Sequence, residues 1–86
     1  MIVKKKPLIV HAWQFDSNAR MKDIPHWVLD AMFADNVRSL PGKVWDIETI
    51  DGGSAQAKDG DYLIRGVFGE LYPCRQDVFD ETYERL

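Results

Sequence analysis

Cys74 is the residue of this chain best suited to covalent chemistry, because a thiolate is a strong nucleophile. A nucleophilic cysteine needs a general base and a group that orients that base, and the chain offers His11, His26 and Asp77. None of these stands at a spacing from Cys74 that defines a catalytic signature. The neighbouring Arg75 favours the thiolate, but a cation alone does not make an enzyme. We therefore expect a small, partly buried thiol and no enzymatic activity.

A metal centre would have to combine the two histidines with Cys74 and a carboxylate. No two of these potential ligands have the spacing of a zinc site, such as C-x-x-C or H-x-x-x-H.

The glycine-rich segments do not form a phosphate-binding loop. Residues 51–54 lack the Lys-Ser/Thr ending of such a loop, and the glycines of 66–69 lie between two predicted strands. The sequence therefore predicts no metal and no cofactor.

Four residues in the C-terminal part of the chain have side chains that are typical of binding surfaces: Arg65, Tyr72, Cys74 and Arg75. Tyrosine and arginine are over-represented among the residues that dominate protein interfaces. The same side chains also suit a nucleotide, since tyrosine stacks on a base and arginine binds phosphate in a bidentate manner. These four residues are the predicted partner- or ligand-binding candidates.

Length, charge and cysteine content narrow the class of protein. The chain has 86 residues, a formal net charge of −3 and one cysteine, which predicts a single domain over residues 1–86 without an internal disulfide. A binder of nucleic-acid polymers would carry a strong basic excess, so that class is disfavoured. The apolar stretch 8–10 is too short for a signal peptide or a membrane span. We expect a soluble cytoplasmic protein.

The candidate side chains must be positioned by the secondary structure, which begins with a strand predicted over 7–15. Both faces of this strand are largely apolar, so we expect it to be central in a sheet. A helix follows, with Asp23 as its predicted N-cap and Pro25 in its first turn. Its buried face is predicted from residues at helical spacing: Ile24, Trp27, Val28, Ala31 and Met32. Residues 35–42 are predicted to form a loop.

From residue 43 onward the hydrophobic pattern changes to the alternation that is typical of strands. Strands are predicted over 43–49, 54–57, 62–65 and 70–74, with turns between them. Pro73 removes a ladder donor, so we expect an irregular or exposed sheet edge there, which allows a homodimer. Asp77 is predicted to cap a short helix, and 82–84 to add a last strand. The predicted fold is α+β: an N-terminal strand, one amphipathic helix, an antiparallel β-meander curled around the helix, and a short C-terminal helical turn.

Both ends of the chain resemble small phage and prophage proteins that share a Pro-Gly-Asp-Tyr-Gly-like signature. The N-terminal match is Lys5-Lys6-Pro7 followed by Val10-x-Ala12-x-Gln14-Phe15. The C-terminal match is Gly60-Asp61-Tyr62-Leu63-Ile64-Arg65-Gly66-x-x-Gly69-Glu70-x-Tyr72-Pro73-Cys74, and then Phe79-x-x-Thr82-Tyr83-Glu84. Together these matches cover about half of the chain. The departures from the family pattern are Asp59 and Gln76 in place of proline, His11 in place of an acidic residue, and Leu63 in place of the last glycine.

The resemblance implies a phage-encoded accessory protein that acts in the cytoplasm of the host bacterium. It implies no defined activity and carries over no site residues. We therefore predict a non-enzymatic protein that binds or inhibits a host protein, for counter-defence or host takeover. The alternative is a sponge that sequesters a small nucleotide immune signal, in which Arg65, Tyr72 and Arg75 hold phosphate and base. This alternative predicts an oligomer with ligand pockets between subunits.

Overall fold

The computed structural model describes all residues from 1 to 86, and its fold is mixed α+β, as predicted. The helices are α1 (His26–Phe33) and α2 (Gln76–Thr82), and a short 3-10 helix spans Met21–Asp23. The strands are β1 (His11–Gln14), β2 (Val37–Leu40), β3 (Val44–Glu48), β4 (Ser54–Lys58), β5 (Tyr62–Arg65) and β6 (Leu71–Cys74). Neither helix has the length and apolar character needed to cross a bilayer.

The strands are divided between two antiparallel sheets of three strands each. The first sheet has the order β1-β5-β6, and the second has the order β2-β3-β4. The N-terminal strand thus pairs with a strand from the C-terminal part of the chain, and the whole second sheet lies between these two strands in sequence. β6 also packs against β3 and β4, so the two sheets meet over a shared core.

The first strand is shorter than predicted and lies at a sheet edge, so the prediction of a central strand is wrong. β1 spans only His11–Gln14 and pairs with β5 alone. Leu8 and Ile9, which precede it, are 55% and 78% exposed. Apolar residues on both faces therefore did not make β1 a central strand, because no strand pairs with its outer edge.

A strand that the sequence did not predict, β2, occupies Val37–Leu40 inside the segment predicted as a loop. It pairs antiparallel with β3, with Val37 opposite Ile47. The turn between these strands contains Gly42 and Lys43, whose φ angles are 85° and 60°. Residues with left-handed backbone angles at these positions form a tight hairpin turn. Pro41 and Gly42 therefore belong to a hairpin turn and not to the middle of a long loop.

Helix α1 covers four of the five predicted apolar residues and begins later than predicted, so that Ile24 precedes it. Pro25 occupies its N-cap position, whereas Asp23 belongs to the 3-10 helix and makes no cap hydrogen bond. Val28 and Ala31 are buried against the core. Phe33, at the end of the helix, is 79% exposed, so the apolar face does not extend through the last turn.

The main core is built around Trp45 of β3, which is 3% exposed. Its ring centroid lies 5.1 Å from that of Phe15 and 5.6 Å from that of Trp13. Trp13 and Trp27 are only half-buried and pack against this cluster from its margin. Of the three tryptophans of the chain, Trp45 alone is therefore fully enclosed, whereas Trp27, predicted on the buried face of α1, is only half-buried.

Asp59 joins this core to the segment that follows β1. Its carboxylate accepts hydrogen bonds from the indole Nε1 of Trp45 at 2.8 Å and from the backbone N–H and hydroxyl of Ser17. Burial opposes ionisation of Asp59, but these hydrogen bonds outweigh it and lower the pKa of the carboxyl group. An aspartate at this position thus supplies the side-chain acceptors that hold the Trp45 indole and Ser17.

The second apolar cluster lies between the first sheet and α2. The ring of Phe79 stacks on Tyr62, with centroids 3.7 Å apart, and on Tyr83, with centroids 5.1 Å apart. Ile64 is fully buried beside them. Phe79 is therefore the residue through which α2 is attached to the sheet, in agreement with its predicted place in the core.

The first backbone N–H of α2 is satisfied by Asp61 and not by the predicted cap residue, Asp77. Asp61, 8% exposed, accepts the backbone N–H of Gln76 through Oδ1 at 3.2 Å and that of Lys58 through Oδ2 at 3.1 Å. Asp77 lies within the first turn, where its exposed carboxylate binds Arg75 and accepts the N–H of the adjacent Val78 at 2.9 Å. The helix continues through Thr82, so the last strand predicted over 82–84 is not formed.

Candidate functional site

The four candidate residues do not converge on one site. Ile64 is directly opposite Tyr72 in the β5–β6 ladder, and Arg65 is opposite Leu71. Because side chains alternate between the two faces of a sheet, Tyr72 shares a face with Ile64, and Arg65 lies on the other face. Tyr72 and Cys74 therefore face α2, whereas Arg65 points toward α1.

The side chain of Tyr72 is part of the apolar cluster that attaches α2 to the first sheet. It packs against the cluster of Tyr62, Ile64 and Phe79, and its hydroxyl group lies 3.4 Å from that of Tyr83. Burial, followed by the neighbouring Tyr83, raises the pKa of the Tyr72 phenol above its ordinary value. A protonated phenol directed at a tyrosine of the same chain contributes to the packing of α2 on the sheet.

Cys74 is half-buried, and its thiol donates to the backbone carbonyl of Arg75 at 3.6 Å. No histidine is hydrogen-bonded to it. Burial, and then the charges of Asp61 and Asp77, raise the pKa of this thiol above its ordinary value of 9.0. Despite the adjacent Arg75, the pKa of this thiol is therefore raised, chiefly by burial.

We expect Cys74 to react at least about tenfold more slowly with iodoacetamide at pH 7.5 in the folded protein than in urea, because the reactive thiolate is scarce and partly covered. Mass spectrometry of the alkylated protein over time measures both rates. Ser39→Cys in a Cys74→Ser background gives an exposed thiol for comparison, since Ser39 is exposed on β2. Equal rates for Cys74 in the folded and unfolded protein would contradict this expectation.

Arg75 is engaged within its own chain. Its Nε donates to Oδ1 of Asp77 at 3.0 Å, and its terminal Nη2 donates to Oδ2 of the same carboxylate. This bidentate contact raises the pKa of Arg75 and lowers the pKa of Asp77. Both side chains border a shallow, open groove whose other acidic members are Asp61 and Asp80. The groove therefore does not present an unneutralised arginine to an anion.

Arg65 differs from Arg38 and Arg75 in having no carboxylate partner. Arg38 pairs with Asp35 and Asp46, and Arg75 pairs with Asp77, but Arg65 forms no ion pair. Its guanidinium carbon instead lies 5.6 Å from the ring centroid of Trp27 on α1. Such a cation–π contact holds a guanidinium group in place while leaving its N–H donors free for a further partner.

His11 completes this arrangement from β1. It is directly opposite Arg65 in the β1–β5 ladder, and its Nδ1 lies 3.4 Å from an Arg65 terminal nitrogen. The imidazole centroid is 6.2 Å from that of Trp27. From the sequence, Trp27 was expected on the buried face of α1 and His11 was considered as a possible base or metal ligand, because the register that brings β1, α1 and β5 together was not known.

The turn that follows Arg65 displays two apolar side chains. Phe68 is 89% exposed and Val67 is 51% exposed. The turn is nevertheless held in shape, since Gly66 N–H donates to the carbonyl of Glu70 at 2.8 Å and Phe68 N–H donates to its carboxylate at 3.2 Å. A Cβ at Gly66 would overlap the Glu70 carboxylate, so a larger residue there would displace that side chain from the turn. Phe68 is therefore an exposed aromatic side chain on an ordered turn.

We call His11, Trp27, Arg65, Val67 and Phe68 the Arg65 surface. It combines a guanidinium group without a carboxylate partner, an aromatic ring and an exposed apolar side chain on a turn. Arginine and aromatic residues are among the types that dominate protein interfaces. Elsewhere in the chain, no three His, Cys, Asp or Glu side chains converge as they would around a metal ion. Comparisons with protein-family models, curated proteins and solved structures found no match to this chain.

Proposed function

We propose that this chain is a phage-encoded, non-enzymatic accessory protein that binds a bacterial host protein through the Arg65 surface. The resemblance of both chain ends to small phage proteins supports the phage origin and the host cytoplasm as the place of action. The half-buried Cys74, whose pKa is raised and which has no histidine partner, supports a role in binding rather than in catalysis. Inhibition of the bound protein, for counter-defence or host takeover, is the purpose that fits this origin.

One observation carries the proposal: Arg65 is held on Trp27 without a carboxylate partner. An arginine that is already ordered loses less side-chain entropy when a partner binds it. A fixed guanidinium group beside an aromatic ring suits a carboxylate of the partner, bound through two parallel N–H donors. Phe68 then supplies the apolar contact that a charge pair alone lacks. The partner is therefore expected to offer an acidic side chain next to an apolar pocket.

The nucleotide alternative has no observation that favours it. It requires Arg65, Tyr72 and Arg75 to surround one ligand, whereas Arg65 and Tyr72 lie on opposite faces of the first sheet. Thermal-shift measurements with cyclic and linear nucleotides test it directly, since a bound ligand stabilises the folded state by mass action. A nucleotide that raises the melting temperature of the wild type would replace host-protein binding as the proposed function.

Quantitative capture from a bacterial lysate tests host-protein binding. We expect a host protein to be retained by the wild type, with Arg65→Ala and Phe68→Ala each lowering its capture at least about tenfold. Arg38→Ala is the matched control, because Arg38 is an exposed arginine on the second sheet and pairs with carboxylates of its own chain. Proteins retained equally by wild type and Arg65→Ala, with none lost, would overturn the proposal.

A further inference from the structure

The outer edge of β1 has backbone groups without partners. The Phe15 N–H donates to the backbone carbonyl of Asp61 at 2.8 Å, and the Phe15 carbonyl accepts from the N–H of Gly60 at 2.9 Å, so the backbone polar groups of Phe15 point toward the β5 side. In an antiparallel ladder, every second residue points its N–H and C=O groups toward the same neighbouring strand, and therefore the backbone groups of Trp13 and His11 also point toward β5. The N–H and C=O groups of the intervening residues Ala12 and Gln14 point outward. Both residues are exposed.

The opposite edge of the same sheet is protected. Pro73 of β6 has no N–H to offer to a further strand, and β6 lies against β3 and β4 of the second sheet. The sequence analysis placed a homodimer edge near Pro73, but the accessible edge of this sheet is β1. Natural proteins protect sheet edges with proline, inward-pointing charges or bulges, and His11–Gln14 contains none of these devices.

The residues that precede β1 extend its apolar character without any strand partner. Leu8 and Ile9 are exposed and lie outside regular structure, and Val10 is half-buried against the α2 cluster. Lysines occupy positions 4–6, and Asp16 follows directly after the core residue at position 15. A segment with cations before it and an anion after it is complementary in charge to an antiparallel copy of itself.

From these observations we infer that the β1 edge is a pairing site for a second copy of this chain. The two copies pair antiparallel about a two-fold axis, with residues 8–14 of one strand beside 14–8 of the other and His11 opposite His11. This register places Lys6 opposite Asp16 of the second copy and Val10 opposite Ala12. The outward N–H and C=O groups of Ala12 thereby gain hydrogen-bond partners, and the exposed Leu8 and Ile9 gain neighbours in the added strand.

Pairing in this way joins the two first sheets into one sheet of six strands. A two-fold axis perpendicular to a sheet keeps equivalent side chains on the same face, so both Arg65 surfaces lie on one side of the dimer. The two Arg65 positions are separated by three inter-strand spacings of about 4.8 Å, or about 14 Å. This part of the inference depends on the proposed function and predicts a partner with two acidic groups at that separation.

The dimer is expected to be weak, because seven residues of each chain form its ladder and the buried area lies below that of a standard interface. We expect a dissociation constant on the order of 10–100 μM, since a short edge-to-edge ladder with no buried aromatic anchor offers few strong contacts. Sedimentation velocity from about 5 μM to about 1 mM covers this range. We expect the wild type to convert from monomer to dimer within it.

Disulfide formation tests the register. His11→Cys in a Cys74→Ser background places two thiols directly opposite each other, with Cβ atoms about 4.5–5.5 Å apart. Gln14→Cys in the same background is the matched control, since Gln14 is on the same strand but lies about 20 Å from its equivalent in the second copy. Under mild oxidation we expect covalent dimers of His11→Cys to form at least about tenfold faster. Equal rates for the two variants would overturn the register.

Charge reversal tests the complementarity without altering the strand. Lys6→Glu and Asp16→Lys are each expected to raise the dissociation constant about tenfold, and the double variant is expected to restore it. Ala12→Pro removes an outward-facing donor and should leave a monomer; if this variant fails to fold, the charge reversal and the cross-linking decide the question. A wild type that stays monomeric at about 1 mM would overturn the inference. None of these measurements involves a host protein, so their failure is distinct from failure of the proposed function.

Discussion

Trp45→Ala is expected to lower the free energy of unfolding by about 3–5 kcal/mol, because it removes the largest side chain from the main core and leaves a cavity. Trp45 is 3% exposed and contacts the rings of Phe15 and Trp13. A domain of this size has a stability of about 5–10 kcal/mol, so the variant should lose roughly a third of it or more. Urea unfolding followed by circular dichroism measures the loss.

Two variants separate the contributions of Trp45. Trp45→Phe keeps an aromatic ring but removes the indole N–H that donates to Asp59, and we expect a loss of about 1–2 kcal/mol. Trp27→Ala is the matched control for tryptophan removal, because Trp27 is only half-buried at the margin of the core, and a smaller loss than for Trp45→Ala is expected. If Trp27→Ala and Trp45→Ala were equally destabilising, the assignment of the core to Trp45 would be wrong.

Asp61→Ala is expected to lower the free energy of unfolding by about 2–4 kcal/mol. The substitution leaves the backbone N–H groups of Lys58 and Gln76 without their charged acceptor near the protein interior. These hydrogen bonds connect the end of β4 with the start of α2, so the helix should loosen more than the sheets. Hydrogen exchange is expected to accelerate most at the amides of Phe79 and Tyr83, and denaturant unfolding measures the total loss.

Asp77→Ala is the control for this prediction, since Asp77 lies in the first turn of the same helix but is exposed and contacts Arg75. We expect it to have a small effect on stability and no effect on exchange at Phe79. Asp61→Asn should fall between alanine and wild type, because an amide has one oxygen acceptor and places its NH2 group against the other donor. Equal effects of Asp61→Ala and Asp77→Ala would refute the capping role of Asp61.

The parts of the fold that sequence analysis predicted are those with a local signal. The helical spacing from Ile24 to Met32 predicted α1, and the alternation after residue 43 predicted β3, β5 and β6. The errors arise where a tertiary contact decides. Val37–Leu40 becomes a strand because β3 lies beside it, and the segment from residue 7 to 15 lies at an edge because nothing pairs with its outer side.

The candidate site was predicted less well than the fold, for a similar reason. Arg65 was chosen for its residue type, but its preference over Arg75 depends on Asp77 reaching Arg75 and on Trp27 reaching Arg65. His11 lies 54 residues from Arg65 in sequence, and no local pattern joins them. Composition could therefore supply the residue types of a binding surface but not the set of residues that share a face.

The pairing of β1 with β5 also determines when the first sheet can form during synthesis. His11 and its partner Arg65 are 54 residues apart, and a ribosome adds roughly 5–20 residues per second, so β1 waits on the order of 3–10 s for its partner strand. The α1 segment and the local β2-β3-β4 meander are complete before then. During that interval the apolar residues 8–10 of the nascent chain have no native partner, and the lysines at positions 4–6 act as charged gatekeepers against aggregation.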